Sequence, residues 1–159
     1  MNAVKLFDIA DKPFDWIILV PPLGLFLFGF FLTWMENRKI GKFVIKRIGL
    51  VLCVAGALAG LFVAGSWLRE RHVGARALQT GRCSVVEGVV TDFHPVPPGG
   101  HALESFRVQN RTFSYSEYNY TACFNTSLAH GGPVRQGAYL RVYFSDDCIL
   151  RIDSLSNKE

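Results

Sequence analysis

Hydrophobic positions in this chain obey one rule up to residue 68 and another from residue 83. From Trp16 to Met35 the sequence WIILVPPLGLFLFGFFLTWM runs for twenty residues without a charge, and Ile48 to Leu68, IGLVLCVAGALAGLFVAGSWL, forms a second uncharged run. About 20 helical residues cross about 30 Å of hydrocarbon, so 15–68 is expected to hold two transmembrane helices, near 15–35 and 48–68, joined by a basic loop at 36–47. Trp16, Trp34 and Trp67, all the tryptophan there is, fall at the ends of the runs, where indole N–H groups meet water. Residues 1–14 are expected to be an N-terminal tail and 69–82 a juxtamembrane linker. A secretory signal is not expected, because acidic residues precede the first run and no small-residue cleavage pattern follows Thr33.

From Cys83 the apolar period changes to two, and five strands can be marked. They are CSVVEGVVTDF (83–93), LESFRVQ (103–109), RTFSYS (111–116), AYLRVYF (138–144) and CILRIDS (148–154). Gly88 marks a bulge or bend in the first strand. Ser145-Asp146-Asp147 reads as a hairpin loop. A meander of three, a long connection and a final hairpin predict a small all-β domain over 83–155, an OB-like five-stranded Greek-key barrel. Its interior is expected to hold Val85, Val89, Phe93, Phe106, Val108, Phe113, Tyr115, Leu140, Val142, Ile149 and Ile152.

Charge then separates the halves. Residues 1–82 carry eleven Lys and Arg against five Asp and Glu, while residues 83–159 carry six against eight. The excess positive charge flanks the membrane runs, and the acidic β-domain has no footprint for a phosphate backbone, so no nucleic acid is expected as a partner. Arg38, Lys39, Lys42, Lys46 and Arg47 pull the loop between the spans to the cytoplasm. Against them stand Arg69, Arg71, Arg76 and Arg82 after the second span and Lys5 and Lys12 before the first. The denser loop cluster, the acidic tail (Asp8, Asp11, Asp15) and a domain with a single lysine favour export. Both termini are therefore expected outside the cytoplasm, which in a bacterial envelope means an inner-membrane protein with its β-domain in the periplasm.

Within the spans, Gly56, Gly60 and Ala64 lie four apart, as do Gly49, Cys53 and Ala57 on a neighbouring line. Small residues at this spacing let helices approach closely in lipid. Packing of the two spans on each other is the first expectation, and homo-oligomerisation through the second helix is the other. Pro21-Pro22 should bend the first span. Neither span contains Asp, Glu, Lys, Arg or His, which removes most support for a transporter or channel.

The chemistry-bearing residues gather in two connections. FHPVPPGGHALE, residues 93–104, supplies His94, His101 and Glu104, and AHGGPV, residues 129–134, supplies His130. Imidazoles with a carboxylate suit zinc or a similar ion, yet the spacing matches no ligand signature, and proline and glycine explain both stretches equally well as turns. No metal or other cofactor is assigned; zinc on His94, His101 and His130 is the alternative. Tyr115, Tyr118, Tyr120 and Phe124 could form a stacking surface or pack in the core and its rim. No serine or cysteine sits in a nucleophile elbow. Of the cysteines outside the spans, Cys123 and Cys148 are the pair to expect if the domain is oxidised, since Cys83 lies close to the membrane end; three unpaired small hydrophobes is the other reading. Asn110, Asn119 and Asn125 each open a glycosylation acceptor pattern, which would matter only in a eukaryotic secretory pathway.

The run VEGVVTDFHPVPPGGHALESF, continued by FSYSEY and HGGPVRQG, resembles a family of uncharacterised bacterial membrane-anchored proteins with a small β-domain, over most of residues 85–144. That resemblance implies the architecture and carries over no catalytic residue. Two spans before a small β-barrel is also the plan of certain anti-phage membrane effectors that respond to a cyclic nucleotide, a likeness of architecture alone that would need a cytoplasmic barrel. The expectation is a membrane-anchored binding module for an unidentified protein or small ligand, its rim shaped by Pro95, Pro97, Pro98, Gly99 and Gly100 and presenting His101 and Glu104 beside His130; His94, His101, Glu104, Tyr115 and His130 are the candidate binding residues. The alternatives are a metal-dependent site and a ligand-sensing effector.

Overall fold

The computed structural model describes residues 2–34, 42–97 and 100–156. Two compact units divide the chain: Phe14–Leu68, and Met1–Pro13 together with Arg69–Glu159. Arg38, Lys39, Pro98 and Gly99, which the sequence assigns to the basic loop and the proline rim, lie outside the described residues.

In the first unit a short 3-10 turn, Trp16–Leu19, leads into helix α1, Val20–Trp34; helix α2 begins at Lys42. Asp15 caps the turn, accepting from the backbone N–H of Ile17 at 3.1 Å. Pro21 and Pro22 therefore fall in the first turn of α1, where a missing N–H costs no helical bond. They start the helix and do not interrupt it. Trp16–Trp34 and Val44–Gln79 are long and apolar enough to cross a membrane, and only 11% of each apolar window is buried, unlike the core helix of a soluble domain. The helices meet where side chains are missing. A Cβ on Gly49 would lie 2.7 Å from the Gly29 carbonyl oxygen, and one on Gly56 would lie 2.7 Å from the Phe26 nitrogen. Cys53 Sγ sits 3.5 Å from the Phe26 carbonyl, Gly60 faces Pro22, and Ala64 is half-buried. Gly49, Cys53, Gly56 and Gly60 thus line α2 against α1, while Ala57 is exposed, and Gly29, which the sequence does not single out, completes the contact. Trp67 packs its ring against Phe14, with centroids 4.9 Å apart.

α2 runs 38 residues to Gln79, about twice the length that hydrocarbon requires. The expected linker is therefore helical through most of its length. The helix stops where Gly81 takes φ +67°, and the N–H groups of Arg82 and Gly81 close back on the Ala77 and Leu78 carbonyls, the left-handed exit that glycine favours.

The second unit is an antiparallel six-stranded sheet in the order β1-β6-β5-β2-β3-β4. The strands are β1 (Asn2–Asp8), β2 (Ser84–His94), β3 (Glu104–Val108), β4 (Arg111–Tyr115), β5 (Tyr139–Ser145) and β6 (Cys148–Ser156). Five match the strands read from the sequence to within two residues, and the sixth is the presumed N-terminal tail. β2 is long because it serves two neighbours, β5 along Ser84–Val89 and β3 along Val90–His94. Its irregularity falls between Thr91 and His94, where Asp92 takes φ +46°, and not at Gly88. The turns between β3 and β4 and between β5 and β6 are two-residue loops led by left-handed Gln109 and Asp146.

Among the described residues the sheet does not close. Strands two to six have the neighbour order of a five-stranded barrel, but β4 and β6 do not pair; β6 takes β1 as its partner instead. If the chain crosses a bilayer between Pro13 and Arg69, it does so an even number of times, because β1 and β6 belong to one sheet.

The core comprises Val90, Phe106, Val108, Phe113, Tyr115, Phe124, Val134, Leu140, Val142, Ile149 and Ile152, with Phe93 packed against it. Val85 and Val89, expected inside, are 53% and 47% exposed. They share a face with Glu87, which pairs with Arg141 at 2.7 Å, so Val86 and Val90 turn inward. A period-two strand cannot hide Val85 and Val89 without hiding Glu87 as well. On the other side of β6, Gly74 of α2 leaves room for Ile9 and Leu150: a Cβ there would lie 2.6 and 2.8 Å from their side chains.

Candidate functional site

Glu104 opens β3 and is 1% exposed. Its carboxylate accepts from Tyr115 Oη at 2.5 Å, from the Val96 N–H at 3.4 Å, and from the Leu128 N–H, which lies 3.1 Å from both oxygens. One side chain thereby ties the 94–104 connection, the β4 end and the start of the 128–130 turn together. A buried carboxylate needs such donors, since an unpaired one costs far more than the bonds contribute. Burial first, and then the bond to Glu104, push the Tyr115 hydroxyl well above the usual tyrosine range. Glu104 and Tyr115 are therefore internal braces and are not presented on a rim. A cavity of about 10 Å³ beside them has room for a single water.

The histidines go separate ways. His94 ends β2 and is exposed. His101 lies against Tyr118, with centroids 4.3 Å apart and the ring planes tilted by 45°. His130 places Nδ1 2.6 Å from Glu117 Oε2, to which Ser127 Oγ also donates at 2.7 Å. Serine and carboxylate thus crowd the same side of the imidazole, whereas a nucleophile relay uses its two nitrogens on opposite sides. Ser127 is also 4% exposed. In AHGGPV the glycines serve the turn: Gly131 takes φ +86°, and a Cβ on Gly132 would lie 2.3 Å from the Thr126 carbonyl oxygen. Among the described residues, the only three His, Cys, Asp or Glu side chains with ligand atoms within 4.8 Å of one another are Glu70, Cys123 and Cys148. Cys123 and Cys148 form a disulfide, Cα–Cα 5.3 Å, which leaves no thiolate for a metal. The structure does not gather His94, His101, Glu104 and His130 into a ligand set.

A larger feature lies beside the bridge. A groove of about 710 Å³ runs along the free side of β4 and the start of β6, lined by Ser114, Tyr118, Asn119, Tyr120, Thr121 and the disulfide among others. Tyr115 and Phe124 form its floor and are buried, with ring centroids 4.8 Å apart, while Tyr118 and Tyr120 are 45% and 62% exposed. Of the four aromatic residues named from the sequence, two are in the core and two are exposed.

The wall between Tyr118 and Asn125 has no regular secondary structure and is held by two ionic side chains from distant parts of the sequence. Lys12 Nζ donates to the Thr121 and Cys123 carbonyls at 2.7 Å and to Asn125 Oδ1 at 2.8 Å, which uses all three of its protons. Glu70, on α2 beyond the apolar run, accepts from Thr121 Oγ1 at 2.8 Å and the Ala122 N–H at 2.7 Å. The Phe124 N–H reaches the Ile149 carbonyl at 3.0 Å, and the bridge fastens the same loop to β6. Lys12, Glu70, Glu117 and Ser127 were not legible as site residues, since their partners are mostly carbonyls and loop groups remote in sequence. A second buried carboxylate, Asp153, lies elsewhere and takes Arg151 Nε at 2.8 Å. That bond is the first cause holding the guanidinium above its usual range.

Comparison with protein families, with characterised proteins and with solved structures finds no match to this chain. The fold and groove together define a protein class and nothing narrower: a helix hairpin of membrane-spanning length carrying an antiparallel β-domain with a braced, aromatic-edged groove.

Proposed function

We propose that this chain is a membrane-anchored binding module whose β-domain faces the extracytoplasmic side and docks its ligand in the groove beside Cys123–Cys148. The disulfide carries this reading. It joins the groove wall to β6, and such bridges persist in oxidising compartments and are rare in reducing ones. The β1–β6 pairing agrees with this reading, since strands of one sheet lie on one side of a bilayer, and the Lys42–Arg47 part of the basic cluster would then face the cytoplasm. The bridge closes a loop of 25 residues, worth about 3.5 kcal/mol of chain entropy, so the groove wall depends on it. In a bacterial cell the location would be the inner membrane with the β-domain in the periplasm. The β-domain reads as an OB-like barrel opened between its third and fifth strands, with the groove along the opening.

Fusions of alkaline phosphatase and of a fluorescent protein to residue 159, combined with alkylation of thiols before reduction, test this. Phosphatase activity and protected Cys123 and Cys148 are expected. Fluorescence without phosphatase activity, with both cysteines alkylated, would replace it with a cytoplasmic, ligand-sensing effector.

A further inference from the structure

The groove offers an unusual set of groups for its size. Two tyrosine rings stand at its edge, and the polar lining consists of hydroxyls, two amides, two carboxylates and backbone, with no Lys, Arg or His among the described lining residues. Beside the groove, Lys12 spends its protons on the wall, and Arg111 is bonded to the Asp146 carbonyl and the Asp147 carboxylate. Its two carboxylates are already engaged, Glu70 with the wall and Asp147 with Arg111 at 3.1 Å, and they repel anions without providing an open cationic site. Phosphates, nucleotides and acidic peptides therefore find no counter-charge.

Ligands that need none are uncharged, carry many hydroxyls and present a flat C–H face. We infer that the groove binds a neutral oligosaccharide, with sugar rings stacked on Tyr118 and Tyr120 and hydroxyls bonded to Ser114 and Asn119. This rests on the groove being the docking site, as proposed above. The C–H face of a pyranose ring is complementary to the electron-rich face of an aromatic ring, and hydroxyls exchange water for hydroxyl and amide partners at little cost. The volume lies within the range of about 300–1,000 Å³ typical of small-ligand sites. Tyr118 is already braced on one side by His101, so little side-chain freedom remains to be lost on binding.

The test uses the full chain in nanodiscs, with chitotetraose, cellotetraose and maltotetraose as neutral probes and a heparin tetrasaccharide as the anionic control, read by saturation-transfer NMR. At least one neutral probe is expected to saturate below about 10 mM, and Tyr120→Ala to weaken it about tenfold or more while Tyr120→Phe retains it. Tyr139→Ala, on the opposite face of the sheet, should change nothing. Tyr120 is exposed, so its removal leaves the core intact, and an unchanged disulfide and melting curve check this. The inference is overturned if no neutral probe saturates, if Tyr120→Ala binds as well as the parent, or if the anionic control binds best. A photoreactive residue in place of Tyr120 separates the two levels of inference: a discrete protein adduct in intact membranes that no oligosaccharide competes away sinks the sugar and leaves the binding module standing.

Discussion

In the unit 14–68 the decisive contacts are between backbones, because Gly29, Gly49 and Gly56 let α1 and α2 approach until an added Cβ would collide. In the β-domain they are between side chains: an apolar core that excludes water, and one buried carboxylate that gathers three donors from separate segments. The reason for the difference is the solvent. Lipid gives apolar side chains nothing to escape from, so helices gain by packing closely. Water drives burial, and every polar group drawn inside must then be paired. The two units should accordingly break under different substitutions, and each should tolerate what breaks the other.

The largest effect is expected at Glu104. Glu104→Ala leaves the Tyr115 hydroxyl and the Val96 and Leu128 N–H groups without their acceptor, at about 1–3 kcal/mol for each buried group. A loss of about 4 kcal/mol in urea unfolding of the full chain in micelles, followed by tyrosine near-ultraviolet dichroism, is expected. Glu104→Gln, which keeps an acceptor, should lose about half of that. The compact electrophoretic migration of the helix hairpin should be unchanged in both. A loss below about 1 kcal/mol for Glu104→Ala would show that the carboxylate is not the brace.

Gly49→Val sharpens the comparison from the other side. It should cost the hairpin about 2 kcal/mol by overpacking and abolish its compact migration, while urea unfolding of the β-domain stays as it was. Gly65→Val is the control, because nothing lies within 4 Å of a Cβ there. Equal effects at the two glycines would mean that the close approach does not hold the helices.

The smallest effect is alkaline. Tyr115 is held protonated in the folded domain, whereas the unfolded side chain ionises near its ordinary value of 10.0. Below that value both states keep the proton and the stabilisation is complete; above it only the unfolded state releases the proton, so stability falls as pH rises. The slope is about 1.4 kcal/mol per pH unit above about pH 10. Tyr115→Phe should flatten it between pH 10 and 11. An identical slope in the variant would assign the alkaline loss to other groups.

Much of the secondary structure was legible, because each span carries its signal within some twenty residues and each of five strands within five to eleven. The phase of β2 is also encoded locally: VVEGVV offers two valine registers, and only the one that leaves Glu87 outside is acceptable. β1 was not available. NAVKLFD has Val4 and Leu6 largely exposed, and its register slips between Lys5 and Phe7. Nothing local marks it as a strand whose partner lies about 150 residues away. Glu104 was picked out, but for a rim and not for the interior. Its stretch shows a carboxylate among turn residues, and only the positions of Val96, Tyr115 and Leu128 in space turn it inward.

Period, length and charge along the chain therefore determined two apolar helices, a β-domain after them and the boundaries of five of its strands, since these depend on neighbours close in sequence. Tertiary structure decided that the sheet stays open, that the N-terminal residues complete it, that the histidines part and that the tyrosines edge a groove. Those outcomes depend on donors, acceptors and apolar surfaces that meet only after the chain has closed loops of tens of residues, and no local pattern encodes which of them will meet.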